Sequence, residues 1–426
     1  MSLIEKILDK SNVRIALERV ISNKGGAGVD GMSVEELRAY MNANWSMLKA
    51  CILEGRYRPA PVRRVEIPKP NGGVRQLGIP TVVDRTLQQA IVQVLTPIFE
   101  EEFQENSYGF RPNRSCEQAV LKLLEYLNEG YEWIVDIDLE KFFDNVPQDK
   151  LMSYVGRIIH DPATESLIRK YLQSGVMDNG IYEATDSGTP QGGNLSPLLS
   201  NVVLNELDKE LLKRGLRYVR YADDCVITVV SSASANRVMH TITRWIEQKL
   251  GLKVNATKTH VCRPSKLKYL GFGFYKSSQT HRWTSRPHET SVEKFKCKLK
   301  LLTKRSWSIS MSDRISRLNS VIRGWINYFS ISKMKRRMED IDAHLRTRLR
   351  VIIWKQWKNP SKRAWGLRKL GIPEDLARCT SYVGNRYQWV ATKTCVVRAI
   401  SKDILYRKGL VSCLDYYMIR HTLKTN

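Results

Sequence analysis

Paired cysteines are missing from this 426-residue chain. Its eight cysteines are widely spaced and no Cys-Xaa2-Cys pair occurs, which argues against a zinc site and against a disulfide framework. No apolar run approaches the roughly 18 residues of a membrane span. The N-terminal residues mix charged with apolar side chains and lack the apolar core of a signal peptide. These absences predict a soluble protein of the reducing cell interior.

Acidic residues are scarce in the last third of the chain. The whole chain has a formal net charge of +26, and residues 286–426 hold 32 Lys and Arg against 10 Asp and Glu, a net charge of +22. The same range contains six of the ten tryptophans. A basic segment with tryptophans is typical of phosphate binding combined with aromatic stacking. Nucleic acid is therefore the predicted partner. The weaker alternatives are a basic surface that only contacts solvent and a surface that binds an anionic membrane.

Two segments place carboxylates within predicted strands. Arg-Tyr-Ala-Asp-Asp-Cys lies between two β-rich runs, which predicts a strand, a tight turn with Asp223 and Asp224, and a second strand. Upstream, the apolar segment 133–144 contains Asp136 and Asp138. Paired acids at a turn are usually solvated turn formers, but an acid inside an apolar strand is costly unless it pairs or binds a metal. Together the segments could gather three carboxylates around divalent cations, as a two-metal polymerase requires.

Further motifs occur in the order found in reverse transcriptases. Gly-Thr-Pro-Gln-Gly-Gly-Asn-Leu-Ser-Pro lies between the two acidic segments, and Arg-Gly-Trp-Ile-Asn-Tyr-Phe follows them. Supporting motifs occupy residues 107–112, 201–208 and 267–272. Over nearly its whole length the chain resembles the bacterial group II intron-encoded proteins, which combine reverse transcription with RNA maturase activity. The chain lacks paired cysteines near its end, so it resembles the compact, endonuclease-free members typical of group IIC introns.

The resemblance implies an α+β fold, namely a right-hand polymerase with fingers, a palm with an antiparallel sheet, an α-helical thumb and a small basic C-terminal domain. The implied domains are an N-terminal extension (1–35), fingers with part of the palm (36–115), a palm with the catalytic hairpin and interleaved fingers segments (116–285), a thumb (286–358) and a DNA-binding segment (361–426).

Local patterns in the first half predict the elements that carry these motifs. Helical spacing of apolar residues predicts a helix over residues 1–22. Two β-rich runs around Asn-Gly-Gly predict a hairpin over residues 57–80. Residues 84–105 are predicted as a helix that is kinked or broken near Pro97, and residues 115–130 as another helix.

Local patterns in the last third predict helices throughout residues 286–358. Apolar stripes at helical spacing predict three helices with basic residues off the stripes. Asn359-Pro360-Ser361 is the clearest predicted linker in the chain.

The acidic residues are the predicted catalytic centre. Period-two alternation puts Asp136 and Asp138 on one face, so periodicity does not choose between them. The resemblance selects Asp138, because two phenylalanines follow at the family's distance, and leaves Asp144 to cap the next turn. Asp138, Asp223 and Asp224 are thus the predicted catalytic residues and the ligands of two Mg²⁺ ions, for which Mn²⁺ could substitute.

Five residues match the family's nucleotide pocket. Lys69 and Arg75 flank the predicted hairpin turn and could reach a triphosphate, although a solvated edge strand is the alternative. Phe143 matches the steric gate that clashes with a ribose 2′-hydroxyl; a core aromatic is the alternative. Gln191 matches the residue that contacts nucleotide and template. Lys258 matches a lysine near the departing pyrophosphate, as general acid, as countercharge or as a merely exposed side chain.

Contacts with nucleic acid are predicted at basic and turn positions along the chain. The N-terminal ones lie in a glycine-rich loop that could equally be a flexible connector. The predicted nucleic-acid-binding residues are Asn23, Lys24, Tyr269, Gly271, Lys294, Lys298, Lys335, Arg336 and Arg337.

The predicted function is RNA-directed DNA polymerisation joined to binding of a group II intron RNA for splicing and retrohoming. The predicted partners are the intron RNA, an RNA template with a DNA primer, target DNA and dNTPs, with no membrane. The predicted location is the bacterial cytosol, in a ribonucleoprotein. A domesticated reverse transcriptase (retron, diversity-generating or defence type) and a splicing-only maturase are the alternatives.

Overall fold

The chain forms two compact units, residues 1–263 and 264–426. They are seen in a computed structural model that describes residues 1–68, 72–189 and 192–425. Both units combine α-helices with β-sheet. The α+β fold class predicted from the sequence is therefore confirmed.

The first unit begins with helices and ends with the sheet that carries the acidic residues. Its elements are α1 (Leu3–Ile7), α2 (Lys10–Ser22), α3 (Val34–Leu53), β1 (Val62–Pro68), β2 (Val74–Ile79), α4 (Val82–Glu100), α5 (Cys116–Asn128), β3 (Trp133–Ile137), α6 (Phe142–Asn145), α7 (Gln148–Ile159), α8 (Pro162–Leu172), β4 (Val176–Asp178), β5 (Ile181–Glu183), α9 (Ser196–Lys213), β6 (Arg217–Tyr221), β7 (Asp224–Val229), α10 (Ser232–Trp245) and β8 (His260–Cys262). A π-helical turn (Ile246–Leu250) extends α10.

Within the described residues, the strands of this unit form two sheets. One has the strand order β2-β1-β4-β5 and the other, antiparallel throughout, the order β6-β7-β3-β8. In the second sheet Ile137 of β3 pairs with Cys225 of β7. This register brings the end of β3 beside the turn between β6 and β7. The two acidic segments therefore meet at one edge of the sheet.

The second unit is a small sheet followed by helices. Its elements are β9 (Lys268–Tyr269), β10 (Phe272–Lys276), β11 (Trp283–Pro287), α11 (Glu289–Leu302), α12 (Met311–Phe329), α13 (Lys335–Gln356), α14 (Pro360–Lys369), α15 (Glu374–Ser381), α16 (Tyr387–Val390), α17 (Thr394–Ala399), α18 (Lys402–Arg407) and α19 (Cys413–Thr425). The described strands are ordered β11-β10-β9, and a 3₁₀ turn (Pro264–Lys266) precedes them.

Helix α13 holds the last helices of the chain through buried polar contacts. The Asp342 carboxylate accepts hydrogen bonds from the N–H groups of Cys413 and Leu414, at 2.8 and 3.0 Å, and so caps the first turn of α19. Arg350, which is buried, donates to the carbonyl of Ile400 at 3.0 Å. The fully buried Trp354 donates its indole N–H to the carbonyl of Gly384 at 3.2 Å. The bundle α11–α13 and the helices after it therefore share one interior.

Several predicted elements are confirmed. Strands β1 and β2 form the antiparallel hairpin, although Asn71 of its turn lies outside the described residues. Helix α5 begins after Ser115, which forms a capping box with Gln118. The predicted strands around the paired acids are β6 and β7, and the three predicted helices of residues 286–358 are α11, α12 and α13.

Two local predictions are wrong. The helix predicted over residues 1–22 is two helices, because the Asp9 carboxylate accepts the N–H of Ser11 at 2.9 Å and starts α2. Of the two alternatives for the helix near Pro97, a kink or a break, the break does not occur, because α4 continues through Pro97. The linker predicted at Asn359-Pro360-Ser361 is a helix start: Asn359 caps α14 and Pro360 takes the first helical position, which its fixed φ favours.

None of the helices in the described ranges combines the length and the apolar composition that crossing a membrane needs.

The Arg220 guanidinium in β6 is completely buried in the first unit. It forms a bidentate ion pair with the equally buried Asp208 of α9, with Nε at 2.9 Å from Oδ1. Its other N–H groups donate to the side-chain oxygens of Asn201 at 3.0 Å and Ser107 at 2.7 Å, and to the carbonyl of Ala222 at 3.0 Å. All five guanidinium N–H groups thus have acceptors, which a buried charge requires.

This ion pair sits directly behind the turn that carries Asp223. Ala222 in that turn has a φ of 56°, a left-handed conformation that costs a non-glycine residue about 1–2 kcal/mol. Gly109 packs against the turn so closely that a Cβ there would lie 2.2 Å from the backbone nitrogen of Ala222. Asn201 in turn donates to the carbonyl of Gly109 at 2.8 Å. The turn is therefore held from behind by α9 and by the backbone at residue 109.

Replacing Asp208 by Asn tests how much this ion pair contributes to the stability of the fold. Asn keeps the shape of the side chain but leaves the Arg220 charge buried without a countercharge, which costs about 3–5 kcal/mol. We expect Asp208→Asn to lower the free energy of unfolding by that amount in urea denaturation.

The matched control is Glu129→Gln, which removes the exposed ion pair that Glu129 makes with Arg217 at 2.9 Å. An exposed pair contributes about 0–1 kcal/mol. Equal losses of stability in the two variants would contradict the role given to the buried pair.

Candidate active site

Strand register brings Asp138, Asp223 and Asp224 to one end of the antiparallel sheet. Asp138 follows β3 directly, Asp223 lies in the turn after β6, and Asp224 opens β7. The backbone of Asp138 is fixed on both sides: its carbonyl accepts the N–H of Asn255 at 2.8 Å, and its N–H donates to the Thr259 hydroxyl at 3.1 Å. The three predicted catalytic acids thus belong to one cluster.

The carboxylates of the cluster act on one another electrostatically. Burial, with a smaller contribution from the charges of Asp223, Asp136 and Asp138, raises the pKa of Asp224 to about 6. Burial also raises the pKa of Asp223, with Asp138 contributing in the same direction. Negative charge is therefore concentrated at this end of the sheet, and a cation would be stabilised there.

Lys258 supplies a positive charge to the cluster. Its Nζ lies 3.2 and 3.4 Å from the two carboxylate oxygens of Asp138. The side chain remains 66% exposed, so the ammonium keeps most of its hydration and its freedom to move. Its charge opposes the rise in pKa at Asp223 and Asp224. Lys258 is therefore a partner of the acids rather than an isolated surface lysine.

Asp136 lies next to the cluster on the same strand face. Its pKa is raised to about 6, mainly by burial; His260, paired with it across the β3–β8 register, opposes this rise, and the charge of Asp138 adds to it. Its charge also reaches Asp224. The sheet therefore brings a fourth carboxylate near the three predicted catalytic acids.

The donors of the cluster suit a divalent cation of the Mg²⁺ type. They are carboxylate oxygens, which are the ligands that hard cations prefer. Burial and, to a smaller extent, mutual repulsion raise the pKa values of Asp223 and Asp224, and a bound cation would offset both effects. Across residues 1–68, 72–189 and 192–425, no group of three or more His, Cys, Asp or Glu side chains is arranged so that it could already hold a metal ion.

The nucleotide-pocket residues are only partly described. Arg75 is exposed on β2, and its charge is close enough to Asp223 to lower the pKa of that carboxyl against the effect of burial. Lys69 and Gln191 lie outside the described residues. The structure thus brings Arg75 and Lys258 to the acid cluster.

Phe143 lies in α6, a single helical turn that follows Asp138 by a few residues. Its neighbour Phe142 is buried in the core, and the two rings meet edge to face with centroids 5.3 Å apart. The ring of Phe143 is half-buried and lines a cavity of about 310 Å³, together with Gln76 and Gly78 of β2. The two phenylalanines therefore do face different surroundings, as their adjacency predicts. Asp144 is exposed in α6.

Asn23 and Lys24 lie at the end of α2, where a glycine-rich loop begins. Both residues are exposed. The loop is fixed by two arginines: Arg63 donates to the carbonyl of Ala27 at 2.8 Å, and Arg85 donates to the carbonyl of Gly26. The loop is therefore attached to the first unit and is more than a free connector.

The remaining predicted nucleic-acid contacts belong to the second unit. Tyr269 is buried, so its ring acts through packing. Lys335 and Arg336 are exposed at the start of α13. Arg337 is instead ion-paired with Glu289, with Nη1 at 3.0 Å from the carboxylate.

A groove of about 550 Å³ runs along α11 and α12 in the second unit. Lys294 and Lys298 of α11 line it together with Gly271, and aromatic side chains of α12 form part of its wall. Gly324 also lines the groove, and a Cβ at this position would meet open space. A glycine inside a helix costs about 0.5–1 kcal/mol relative to alanine, and packing does not explain it here. The groove therefore combines the positive charge of two lysines with free space beside Gly324.

Lys296 and Lys300 point away from this groove, toward α13. Burial, the charge of Arg348 and the charges of these two lysines lower the pKa of His344 in α13. Helix α11 thus carries two pairs of exposed lysines with the same spacing and different surroundings.

The positioning residues behind the turn were missed by sequence reasoning. Arg220, Asp208 and Asn201 contact the turn or its support, yet none was among the predicted site residues. A signal was present, because a charged residue inside an apolar strand or helix stripe needs a partner. The partners themselves are 12 and 19 residues away in sequence, so no local pattern connects them.

Comparison with known proteins identifies two families along the chain. The family described as "Reverse transcriptase (RNA-dependent DNA polymerase)" matches residues 67–274. The family described as "Group II intron, maturase-specific domain" matches residues 292–371. The first match contains the acid cluster and the second contains α12 and α13.

Two curated proteins and one solved structure are similar to parts of the chain. Protein YkfC of Escherichia coli (strain K12) is 35% identical in an alignment of 281 positions that covers 57% of this chain and 74% of YkfC. The group II intron-encoded protein LtrA of Lactococcus lactis subsp. cremoris is 38% identical in an alignment of 214 positions that covers 48% of this chain but only 34% of LtrA. The solved structure of apo telomerase from Candida tropicalis, truncated from the C-terminal domain, matches 57% of this chain and 60% of that chain with 13% identity and a TM-score of 0.42.

The acid cluster lies inside the reverse transcriptase match, and the maturase-specific match follows it in the same chain. With both family models matched and three quarters of one relative aligned at 35% identity, the chain belongs to the reverse transcriptase family and carries the maturase-specific domain of group II intron proteins.

Proposed function

We propose that this protein is an RNA-directed DNA polymerase that also binds its own group II intron RNA, to assist splicing and target-primed reverse transcription. The observation that carries the proposal is the cluster of Asp138, Asp223 and Asp224, held at one end of an antiparallel sheet with Lys258 beside it. Polymerases need such a concentration of carboxylates where the primer terminus meets the nucleotide.

Asp138, Asp223 and Asp224 are the proposed ligands of two Mg²⁺ ions, with Mn²⁺ as a substitute. A divalent cation there would polarise the primer 3′-hydroxyl and offset charge on the α-phosphate and the leaving pyrophosphate. The protein contributes the fixed carboxylates, because the strand register and the buried Arg220 hold the turn before any substrate binds. Such preorganisation avoids the cost of reorienting dipoles during the reaction.

Lys258 and Arg75 are the proposed cationic contacts of the triphosphate, together with Lys69. Arg75 already acts electrostatically on Asp223, so its guanidinium is near the reaction centre. Lys258 has a flexible, exposed stem and can move from Asp138 to the pyrophosphate. There it serves as a countercharge or as a general acid.

Phe143 is the proposed steric gate and Gln191 the proposed contact to nucleotide and template. The half-buried ring of Phe143 borders a cavity that is also lined by Gln76 and Gly78 of β2, the strand that carries Arg75, and an incoming sugar is proposed to enter there. A rigid aromatic ring at that point excludes a 2′-hydroxyl by repulsion.

The proposed domains are those of a right-hand polymerase. The N-terminal extension and fingers come first (1–35 and 36–115), the palm follows (116–285), and the thumb (286–358) precedes a DNA-binding segment (361–426). The antiparallel sheet with the acid cluster supports the palm assignment, and the bundle α11–α13 supports the thumb.

The groove along α11 and α12 is the proposed grip on the template–primer duplex. Lys294 and Lys298 supply charge for phosphates, and Gly271 and Gly324 allow close approach of a backbone. Lys335, Arg336 and Arg337 are further proposed contacts, with Arg337 first having to leave Glu289. Tyr269 supports the groove by packing. Asn23 and Lys24 are proposed to contact the template.

The proposed partners are the intron RNA, an RNA template with a DNA primer, target DNA and dNTPs. The net charge of +22 in residues 286–426 supports a large nucleic-acid surface. The proposed location is the bacterial cytosol, in a ribonucleoprotein, which is consistent with eight free cysteines.

Primer extension on an RNA template with dNTPs and Mg²⁺ tests the polymerase function. We expect full-length cDNA from the purified protein and none without the divalent cation. Binding and splicing of the cognate intron RNA, measured separately, test the maturase function. Extension without any effect on splicing would favour a domesticated reverse transcriptase.

Replacing Asp223 by Asn removes one proposed metal ligand without changing the size of the side chain. We expect primer extension to fall below a few per cent of the parent rate, because several kcal/mol of transition-state stabilisation are lost. RNA affinity should stay within about two-fold, because phosphate contacts lie elsewhere.

Asp186→Asn is the control, since Asp186 is an exposed carboxylate of the same unit with no proposed role. Substantial extension by the Asp223→Asn protein would refute the metal-ligand assignment.

Replacing Phe143 by Ala removes the proposed gate. We expect incorporation of ribonucleotides relative to deoxyribonucleotides to rise at least about ten-fold, because a repulsive contact disappears. Steady-state kcat/KM values for matched rNTP and dNTP pairs measure this ratio. An unchanged ratio would return Phe143 to a purely packing role.

Neutralising two groove lysines, Lys294→Gln with Lys298→Gln, tests the proposed grip. We expect weaker template–primer binding and a salt slope shallower by about 2, since each lost phosphate contact contributes about 0.9 for a DNA duplex. Single-nucleotide addition on a saturating template–primer should be largely retained, and long cDNA should become scarce.

Lys296→Gln with Lys300→Gln is the matched control, because it removes the same charge from the same helix on the side next to α13. Equal effects of the two pairs would mean that overall charge, and not this groove, binds the duplex.

A further inference from the structure

The one-turn helix that carries Phe143 is held by a distant segment of the chain. A helix of four residues cannot satisfy its own terminal carbonyls. Here the carbonyl of Phe143 accepts the N–H of Thr189 at 2.6 Å, and the carbonyl of Val146 accepts the N–H of Gly188 at 2.8 Å. The Ser187 hydroxyl donates to the carbonyl of Asp144 at 3.3 Å. We name residues 187–189 the gate clamp.

Gly188 is the point of closest contact in the gate clamp. Its φ of +84° is a left-handed conformation that strains any side chain. A Cβ built on it would lie 2.7 Å from the carbonyl oxygens of both Phe143 and Asp144, closer than real Cβ contacts. Only glycine therefore allows the clamp to lie directly on the helix of Phe143.

The gate clamp is itself anchored to α7. The buried side-chain amide of Gln148 donates to the carbonyl of Gly188 at 3.1 Å and to the carbonyl of Leu172 at 3.1 Å. The clamp is therefore supported by two helices, α7 and α8. A displacement of the clamp would move α6 and with it the ring of Phe143.

The wall of the cavity beside Phe143 contains a buried polar group, the hydroxyl of Thr189, that lacks a hydrogen-bond partner within the described part of the chain. Gly188 and Thr189 both line this cavity of about 310 Å³. Leaving such a group unpaired is destabilising, and a polar ligand in the cavity would offset that cost.

We propose that Gly188 and Thr189 determine sugar selectivity by fixing the position of Phe143 against the incoming nucleoside triphosphate. They are positioning residues: their backbone N–H groups hold α6, and the ring of Phe143 meets the sugar. The proposal rests on the proposed function of Phe143 as the gate. It assigns a specificity role to backbone contacts between two segments 46 residues apart along the chain.

The test compares Gly188→Ala with Gly180→Ala. Gly180 also has a left-handed φ, of +87°, but a Cβ there would meet open space. The two variants share the conformational strain, and only Gly188→Ala displaces the carbonyls of α6. We expect Gly188→Ala to reduce dNTP-over-rNTP selectivity in kcat/KM by about ten-fold, and Gly180→Ala to leave it unchanged. Equal ratios in the two variants overturn the proposal.

A double variant separates this proposal from the gate function itself. In the Phe143→Ala background, Gly188→Ala should cause no further change in selectivity, because there is no ring left to displace. An unchanged ratio in Phe143→Ala alone would refute the gate and therefore the proposed function of Phe143. A changed ratio in Phe143→Ala with an unchanged ratio in Gly188→Ala would refute only the gate clamp.

Ser187→Ala keeps the test decisive if Gly188→Ala does not fold. This variant removes one hydroxyl and its hydrogen bond to the carbonyl of Asp144. We expect a smaller loss of selectivity, about two-fold, with the dNTP kcat/KM close to that of the parent. Parental selectivity in a folded Ser187→Ala protein would overturn the proposal in that case.

Discussion

The ion pair between Arg220 and Asp208 is the contact on which the geometry of the acid cluster depends. A guanidinium with no exposed surface is stable only when every N–H has an acceptor, and here the five acceptors come from α9, from residue 107 and from the turn itself. Satisfying the charge therefore requires α9, β6 and the turn to adopt one arrangement. Because Asp223 lies in that turn, this arrangement also fixes the position of its carboxylate. The geometry of the acid cluster is thus a consequence of burying the Arg220 charge.

Burial and charge together set the pKa values of the acid cluster. Desolvation is the largest cause of the raised pKa values at Asp223 and Asp224, and neighbouring carboxylates add to it. Lys258 and Arg75 oppose this effect from different segments. An added cation would therefore offset negative charge in the cluster, and the exposed ammonium of Lys258, ion-paired with Asp138, already offsets part of it.

Sequence reasoning succeeded where a short segment determines the outcome. The β6–β7 hairpin, the capped start of α5 and the stripes of α11–α13 follow from turn chemistry, capping and periodicity. It failed where side chains redirected the chain locally, as at Asp9 and Pro360. It was silent on contacts set by tertiary structure: Lys258 with Asp138, Arg220 with Asp208, and Thr189 with Phe143. These depend on strand register and helix docking, which no window of neighbouring residues contains.

The capping of α19 by Asp342 has a consequence for how such proteins can change over time. A carboxylate in the middle of one helix completes the first turn of another that begins 71 residues later. Recombination between relatives at the start of α14 would separate that carboxylate from the backbone groups it serves, and would strip Trp354 of its partner at residue 384. We therefore expect the bundle α11–α13 and the helices α14–α19 to be exchanged together when relatives recombine.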